Sequence, residues 1–233
     1  MSVINIQPVE KQDLLAPTLS LHSIFYTIQG EGPFTGHPAI FVRLAGCNLQ
    51  CPGCDTDYTS TREAITAGQL LSKILLLSQQ TECKFVVLTG GEPFRQNIAP
   101  IVRMMVSSGL KVQIETNGTL HQEDLPWDSI TIVCSPKAGK VNAKLAPHID
   151  AYKYVLAWDS LDVSDGLPIL ALDHTASPRV ARPHFGYKGL VYLQPMDSQD
   201  KLTNEMNMDA CVESCMEHGY ILQLQIHKLI GVE

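Results

Sequence analysis

Three cysteines stand within eight residues, in the run Cys47-Asn-Leu-Gln-Cys51-Pro-Gly-Cys54. Thiolates at C-x3-C-x2-C spacing on one loop can wrap a single metal centre, and soft sulfur selects iron–sulfur clusters, zinc or Cu(I). A zinc site needs a fourth ligand. The nearest upstream histidine, His37, lies across an expected strand, and no Cys or His follows within a dozen residues of Cys54. A four-iron cluster on three cysteines leaves one iron without a protein ligand, so a substrate or cofactor can bind there. Zinc and unliganded thiols stay open as alternatives. The other four cysteines read differently: Cys83 and Cys134 sit in apolar strand contexts, and Cys211 and Cys215 share a helix face as a thiol pair. An odd total of seven, with three clustered, points to metal ligation in a reducing compartment rather than to a disulfide framework.

The elements that must carry this loop alternate between strands and helices. Strands are expected over Ala39–Leu44, Phe85–Leu88, Val112–Glu115, Ile130–Cys134, Tyr152–Leu156 and Leu190–Leu193, with a last alternating segment over Ile221–Ile226. Helices are expected after a Thr66 cap, where Leu70, Leu71, Ile74, Leu75 and Leu77 recur at helical spacing, over Ile98–Ser108 with Gly109 as stop, and over Asn204–His218. Such alternation suggests a mostly parallel sheet of βα units. Cys47, Gly90-Gly91-Glu92, Glu115-Thr116-Asn117, Ser135-Pro136-Lys137 and Gln194-Pro195 each fall at or just past the C-terminal end of a strand. That edge is where parallel α/β architectures build their sites. Residues 157–189, rich in Gly and Pro, read as a long connection with little core of its own.

Composition sets the outer bounds. The 233 residues are 45% hydrophobic and 18% charged, which is globular rather than disordered. No apolar run approaches the roughly 18 residues that span a bilayer. The N-terminal stretch carries Glu10, Lys11 and Asp13 without an apolar h-region, so a cytoplasmic protein without signal peptide or membrane partner is expected. Seventeen basic against 24 acidic residues, a net charge of −7 with no Lys/Arg block, argues against a nucleic-acid partner. It leaves room for a small anionic ligand on one well-placed Arg.

The cysteine loop after one strand and Gly90-Gly91-Glu92-Pro93 after the next resemble the radical S-adenosylmethionine (SAM) superfamily. That resemblance implies an incomplete parallel (β/α) barrel of roughly six strands with a reduced helical layer. It also implies a 4Fe-4S cluster on Cys47, Cys51 and Cys54, whose open iron chelates SAM and whose electron releases a 5′-deoxyadenosyl radical. The sequence departs once from the pattern: Gly53 stands where an aromatic residue usually precedes the third cysteine. Within the superfamily, Phe25-Tyr-Thr-Ile28-Gln29-Gly30-Glu31-Gly32, Arg43, Cys54-Asp55-Thr56, Thr89, Glu115-Thr-Asn-Gly118, Gln194-Pro195-Met196 and the terminal His227-Lys228 resemble the 7-carboxy-7-deazaguanine synthases. The match runs in order over residues 21–233 as one radical SAM domain, is weakest over 157–189, and leaves residues 1–20 as an N-terminal extension.

What that family implies is a lyase of queuosine and deazapurine biosynthesis. It contracts the ring of 6-carboxy-5,6,7,8-tetrahydropterin to 7-carboxy-7-deazaguanine with release of ammonia. The resemblance places SAM on Gly53, Gly91, Ser135, Pro136, Lys137, Gln194, Pro195, Met196 and Asp197. It places the substrate on Ile28, Gln29, Gly30, Glu31, Arg43, Thr89, His227 and Glu233, and Mg2+ on Thr56 with Asp55 beside it. A homodimer and an electron donor such as flavodoxin are implied as partners. The chemistry suits these residues: Gln29 offers an amide to a planar polar heterocycle, the Arg43 fork matches a carboxylate, and a hydroxyl is a hard ligand for magnesium. Alone, each has a plainer reading as a turn, a solvated strand residue or a cap. A glycyl-radical activase and a zinc-binding module are the rival functions.

Overall fold

Successive strand residues point to opposite faces, and here the two faces carry different chemistry. Val42, Leu88, Ile114, Cys134, Tyr152, Tyr154 and Leu193 join the hydrophobic core. Their neighbours Arg43, Thr89, Glu115, Val133, Lys153, Val155 and Gln194 line a cavity instead. The computed structural model describes residues 5–172 and 179–232. Its elements are β1 (Leu19–Ile28), β2 (Pro38–Leu44), β3 (Glu63–Ile65), α1 (Ala67–Thr81), β4 (Phe85–Gly90), α2 (Ala99–Ser107), β5 (Lys111–Thr116), β6 (Ile130–Cys134), β7 (Ala151–Leu156), β8 (Leu190–Pro195), α3 (Lys201–His218), β9 (Ile221–Leu222) and α4 (Ile226–Ile230).

All strands lie in one sheet in the order β3-β1-β2-β4-β5-β6-β7-β8-β9. From β2 to β9 every pairing is parallel, whereas β1 runs antiparallel to both β2 and β3. The six expected strands form the parallel centre of this open barrel. The sheet is larger than expected because β1 and β3 extend one edge and β9 the other. The lead-in Phe25–Gly32, read as a segment preceding the first strand, is in its first half, Phe25 to Ile28, the end of β1 itself, and Leu19 and Ser20 already belong to that strand.

The helical layer is thin. A capping box between Thr66 and Gln69 opens α1, whose Leu70 and Ile74 are buried. Ile101, Val102 and Met105 of α2 pack into the same core, and Asp200 caps α3 by accepting from the Thr203 N–H. Among the described residues, the connections from β5 to β8 hold only short 3-10 turns. The long connection does contribute core: Leu167, Ala171 and Val180 are buried in the main cluster. Cys83, Cys134, Cys211 and Cys215 are core thiols. The expected strand over Ile221–Ile226 ends at Leu222. There the buried Gln223 turns inward, donating to the Gly30 carbonyl at 3.0 Å and accepting from the Gly32 N–H at 2.7 Å. No helix among the described residues is long and apolar enough to cross a membrane.

The end of β4 demands glycine. Gly90 has φ +135°, and a Cβ there would fall 2.1 Å from the Leu44 carbonyl oxygen; at Gly91 it would fall 2.1 Å from that of Gly46. The backbone of the β4 turn is therefore pressed against the backbone leading into the cysteines. Gly90→Ala should lower stability by about 2–4 kcal/mol, combining left-handed strain with overpacking against main chain. Urea unfolding of the two proteins measures this, and a loss below ~1 kcal/mol would mean that the turn can move away.

Candidate active site

Between β2 and β3 the chain forms neither helix nor strand, so the cysteine loop depends on bonds to its surroundings. The Gly46 N–H donates to the Tyr58 carbonyl at 2.9 Å, and the Cys54 N–H to that of Cys51 at 3.2 Å. Asn48, between the first two cysteines, donates to the Thr119 hydroxyl at 2.8 Å and accepts from Asn117 Nδ2 at 2.9 Å. Cys47, Cys51 and Cys54 then line one cavity of about 340 Å3, within the usual range of ligand sites. Burial pushes the thiol of Cys47 up to about 12 and that of Cys51 to about 11, and raises Cys54 as well. Each ionised neighbour makes the next ionisation of Cys47 harder. Such thiols lose their protons to a metal, whose positive charge replaces them.

The donor set fits an iron–sulfur cluster: three soft thiols, clustered on one wall, in a site large enough for a further ligand. Among the described residues no three His, Cys, Asp or Glu side chains gather as tightly as a single ion requires. The thiols line a space rather than close on a point.

Glu92 sets the neighbouring wall. It is fully buried and accepts from the Phe94 N–H at 3.0 Å, the Thr116 hydroxyl at 2.8 Å and the Asn117 N–H at 2.7 Å. Burial pushes its carboxyl up to about 7, against those three donors. It clamps the end of β4 to the end of β5. Beyond it, Lys137 donates to the Ser135 carbonyl at 3.1 Å, and burial lowers its ammonium while the Cys51 and Cys134 thiolates act to raise it. Gln194 is buried, and its Oε1 has no hydrogen-bond partner.

The opposite wall is a polar bowl. Glu115 accepts from Gln29 Nε2 at 3.0 Å, Gln113 Nε2 at 3.1 Å and the Thr89 hydroxyl at 3.1 Å. Glu31 pairs with Lys153 and accepts from Gln225 Nε2 at 2.8 Å. Burial alone would raise the Glu31 carboxyl, but the Lys153 charge and hydrogen bond outweigh it and hold it low. Burial likewise works to lower Lys153, and the Glu31 and Glu115 carboxylates reverse it. The Arg43 guanidinium lies 5.3 Å from the centroid of the Phe25 ring. His227 packs on Gly30, where a Cβ would fall 1.9 Å from Nδ1. At the rim Lys228 bridges Asp55 at 3.1 Å and Asp197 at 3.0 Å.

The residues singled out in the sequence therefore converge. Ile28, Gln29, Gly30, Glu31, Arg43, Gly53, Thr56, Thr89, Gly91, Ser135, Lys137, Gln194, Met196, Asp197 and His227 line the same cavity as the three cysteines. Pro136, just past β6, and Pro195, the last residue of β8, are not on its wall. Glu233 lies outside the described residues. Sequence reading missed Lys153, Leu172 and Gln225, all on the wall. A lysine in the apolar run Tyr152–Leu156 was the available signal for the first. Leu172 accepts from the Gly53 N–H at 3.0 Å, so the long connection covers the position where an aromatic side chain is missing.

Comparison with known proteins agrees with this geometry. Residues 42–126 match the model of the radical SAM superfamily. The 7-carboxy-7-deazaguanine synthase of Rhodospirillum rubrum is 42% identical over 222 residues, covering 92% of this chain and 93% of its own. That of Rickettsia prowazekii is 39% identical over 224 residues, covering 92% and 89%. The crystal structure of QueE from Escherichia coli superposes with a TM-score of 0.66 at 26% identity, covering 89% of this chain and 93% of that one.

The Glu31–Lys153 pair carries a pH signature. Lys153→Met should cost about 3 kcal/mol near pH 8, because a buried carboxylate loses its partner. With its pKa held low by Lys153, Glu31 adds stability above the ordinary carboxylate range, and that contribution fades as pH falls below it. In the Met variant the unpaired carboxyl is pushed up and takes a proton more readily, so the deficit should shrink between pH 8 and pH 5. Urea unfolding of both proteins at the two pH values checks this, and an equal deficit at each would show that Glu31 is solvated.

Proposed function

The chain belongs to the 7-carboxy-7-deazaguanine synthases, radical SAM lyases, and we propose that it contracts 6-carboxy-5,6,7,8-tetrahydropterin to 7-carboxy-7-deazaguanine with release of ammonia. Family membership sets aside the activase and the zinc module. The observation that carries the reading is one cavity with three thiols on one wall and the Gln29–Thr89–Glu115 bowl facing them. When bound, the cluster and SAM would supply the radical chemistry for hydrogen transfer with the substrate.

This chain's residues hold and orient. Cys47, Cys51 and Cys54 ligate the cluster. Gly91, Ser135, Lys137, Gln194, Met196 and Asp197 would hold SAM, with Gly53 and Leu172 on the same wall. Gln194 meets a donor with its unpartnered Oε1. Gln29 and Glu115, tied together and steadied by Thr89, present amide and carboxylate edges to the pterin ring. Glu31, kept ionised by Lys153, accepts from the ring's N–H groups, His227 closes over Gly30, and Arg43 receives the substrate carboxylate. Thr56, whose hydroxyl lies 3.5 Å from Asp55 Oδ1, offers a hard ligand to a magnesium ion beside the substrate. We assign the enzyme to the cytoplasm and to queuosine or related deazapurine synthesis, with a flavodoxin-type electron donor and a homodimer.

Anaerobically reconstituted, reduced protein incubated with SAM and the carboxypterin should form the deazaguanine chromophore. Ala at Cys47, Cys51 or Cys54 should abolish the cluster's visible absorbance and SAM cleavage, whereas Cys83→Ala and Cys211→Ala should keep both. Bleaching by Cys211→Ala and not by Cys51→Ala would overturn the ligand assignment.

Truncating Arg43 would remove a charge-assisted, bidentate pairing with the substrate carboxylate, so Arg43→Ala should raise KM roughly 10- to 150-fold. Arg43→Lys should recover part of it, since the charge stays and the planar fork goes. Formation of 5′-deoxyadenosine without substrate should persist in both. An unchanged KM in the Ala form would make Arg43 a wall residue only.

A further inference from the structure

The stretch ahead of β1 reads from the sequence as an extension, yet its residues 5–10 lie along the cysteine loop and bond to it. The Asn5 N–H donates to the Pro52 carbonyl at 3.0 Å and the Glu10 N–H to the Cys47 carbonyl at 2.7 Å. Asn5 Nδ2 donates to the Cys51 carbonyl at 3.1 Å. Gln7 Nε2 donates to the Thr56 carbonyl at 2.9 Å, while its Oε1 accepts from the Tyr58 N–H at 2.8 Å. Asn5 Oδ1 accepts from the Gln7 N–H at 2.9 Å, which fixes the Asn5 side chain against the Gln7 main chain. Asn5 is 9% exposed, so its amide is committed to these bonds.

The segment is also anchored from behind. Glu10 pairs with the buried Arg95 at 3.1 Å, and Arg95 donates to the Ala45 carbonyl at 3.0 Å, two residues before Cys47. A loop without helix or strand keeps its thiols in place only as well as outside partners hold its carbonyls. Here those partners come from chain ahead of the sheet, and they reach the main chain at Cys47 and Cys51 and on both sides of Cys54.

We propose that residues 5–10 are a strap for the iron–sulfur cluster, in which Asn5 and Gln7 act as positioning residues that keep the three cysteine thiols set for iron and slow the cluster's loss. The proposal rests on the assignment of Cys47, Cys51 and Cys54 as cluster ligands.

The test follows bleaching of the reconstituted, anaerobic holoenzyme by a ferrous chelator, beside thermal unfolding of the apoprotein. Asn5→Ala/Gln7→Ala should lose its cluster about tenfold faster than wild type, on the usual worth of two missing hydrogen-bonding side chains. Gln12→Ala is the control. It removes donors to the Phe94 and His121 carbonyls, at 2.8 and 3.2 Å, from the same segment without touching the cysteine loop. Its cluster should bleach within twofold of the wild-type rate even where the apoprotein melts lower. Should the double variant fail to fold, the single variants Asn5→Ala and Gln7→Ala should each bleach at least about threefold faster. A wild-type bleaching rate in these variants, or equal acceleration by Gln12→Ala, would overturn the strap. Wild-type protein that takes up no iron would overturn the ligand assignment itself, and the strap with it.

Discussion

The site hangs on a junction of main chain at the end of β4. The Gly91 N–H donates to the Leu44 carbonyl at 3.1 Å and the Glu92 N–H to that of Gly46 at 3.0 Å, so the β4 turn and the entry to the cysteine loop are one hydrogen-bonded unit. The Glu92 carboxylate carries that unit across to the end of β5 through two donors, the Thr116 hydroxyl and the Asn117 N–H. Nothing larger than hydrogen fits at Gly90 or Gly91 without pushing main chain apart. The position of Cys47 relative to Glu115 and Thr89 follows from this junction rather than from the loop's own conformation. In a parallel sheet, where neighbouring strands end together at one edge, such cross-links turn separate loops into one wall.

Charge inside the cavity is balanced by position. Two carboxylates, Glu31 and Glu115, face the interior and are met by Lys153 and by the amides of Gln29, Gln113 and Gln225. Lys137 stands on the other side, close enough to the thiols for its charge to work against their burial. Lys137 thus offsets part of the burial that keeps the Cys51 and Cys54 thiols raised, and the bowl presents acceptors fixed by donors behind them. Fixed dipoles of this kind bind a polar heterocycle without reorganising on arrival. Arg43, Thr89, Glu115 and Lys153 stand on strands, where flanking strands hold a side chain to fewer directions, whereas Gln29, Glu31 and Gln225 reach the bowl from outside them.

What could be read ahead of the structure depended on whether a residue's signal was local. The cysteine spacing, the Gly-Gly turn and the Thr66 cap are short-range patterns, and all three stand where the sequence placed them. The six parallel strands were legible because each is an apolar run between turn residues. By contrast β3 is a three-residue edge strand, and β1 beside it is covered by β3 only over Leu19–Leu21; period-2 alternation is weak when one face is neither buried nor wet. The strand expected over Ile221–Ile226 was stopped by Gln223, whose partners Gly30 and Gly32 are about 190 residues away in sequence. No window centred on residue 223 contains them. Lys153 was hidden differently, since a lone lysine in an otherwise apolar run does not reveal which face it takes until Tyr152 and Tyr154 are seen on the core face and Lys153 on the other.

The same long-range logic shapes the two covers of the cavity. Gln223 draws the chain back under Gly30 and delivers Gln225, His227 and Lys228 to the bowl and the rim. Leu172 arrives from the long connection to sit against Gly53. Each is located by polar contacts to main chain, Gln223 by its bonds with Gly30 and Gly32 and Leu172 by the bond from the Gly53 N–H. The division of labour follows from physics: residues doing the chemistry stand on strands and on a loop tied to them. The covering segments tolerate irregular backbone because their hydrogen bonds are met one at a time. A side chain such as Gln223, buried with both amide atoms engaged, therefore matters to the site as much as a wall residue, although it never faces the cavity.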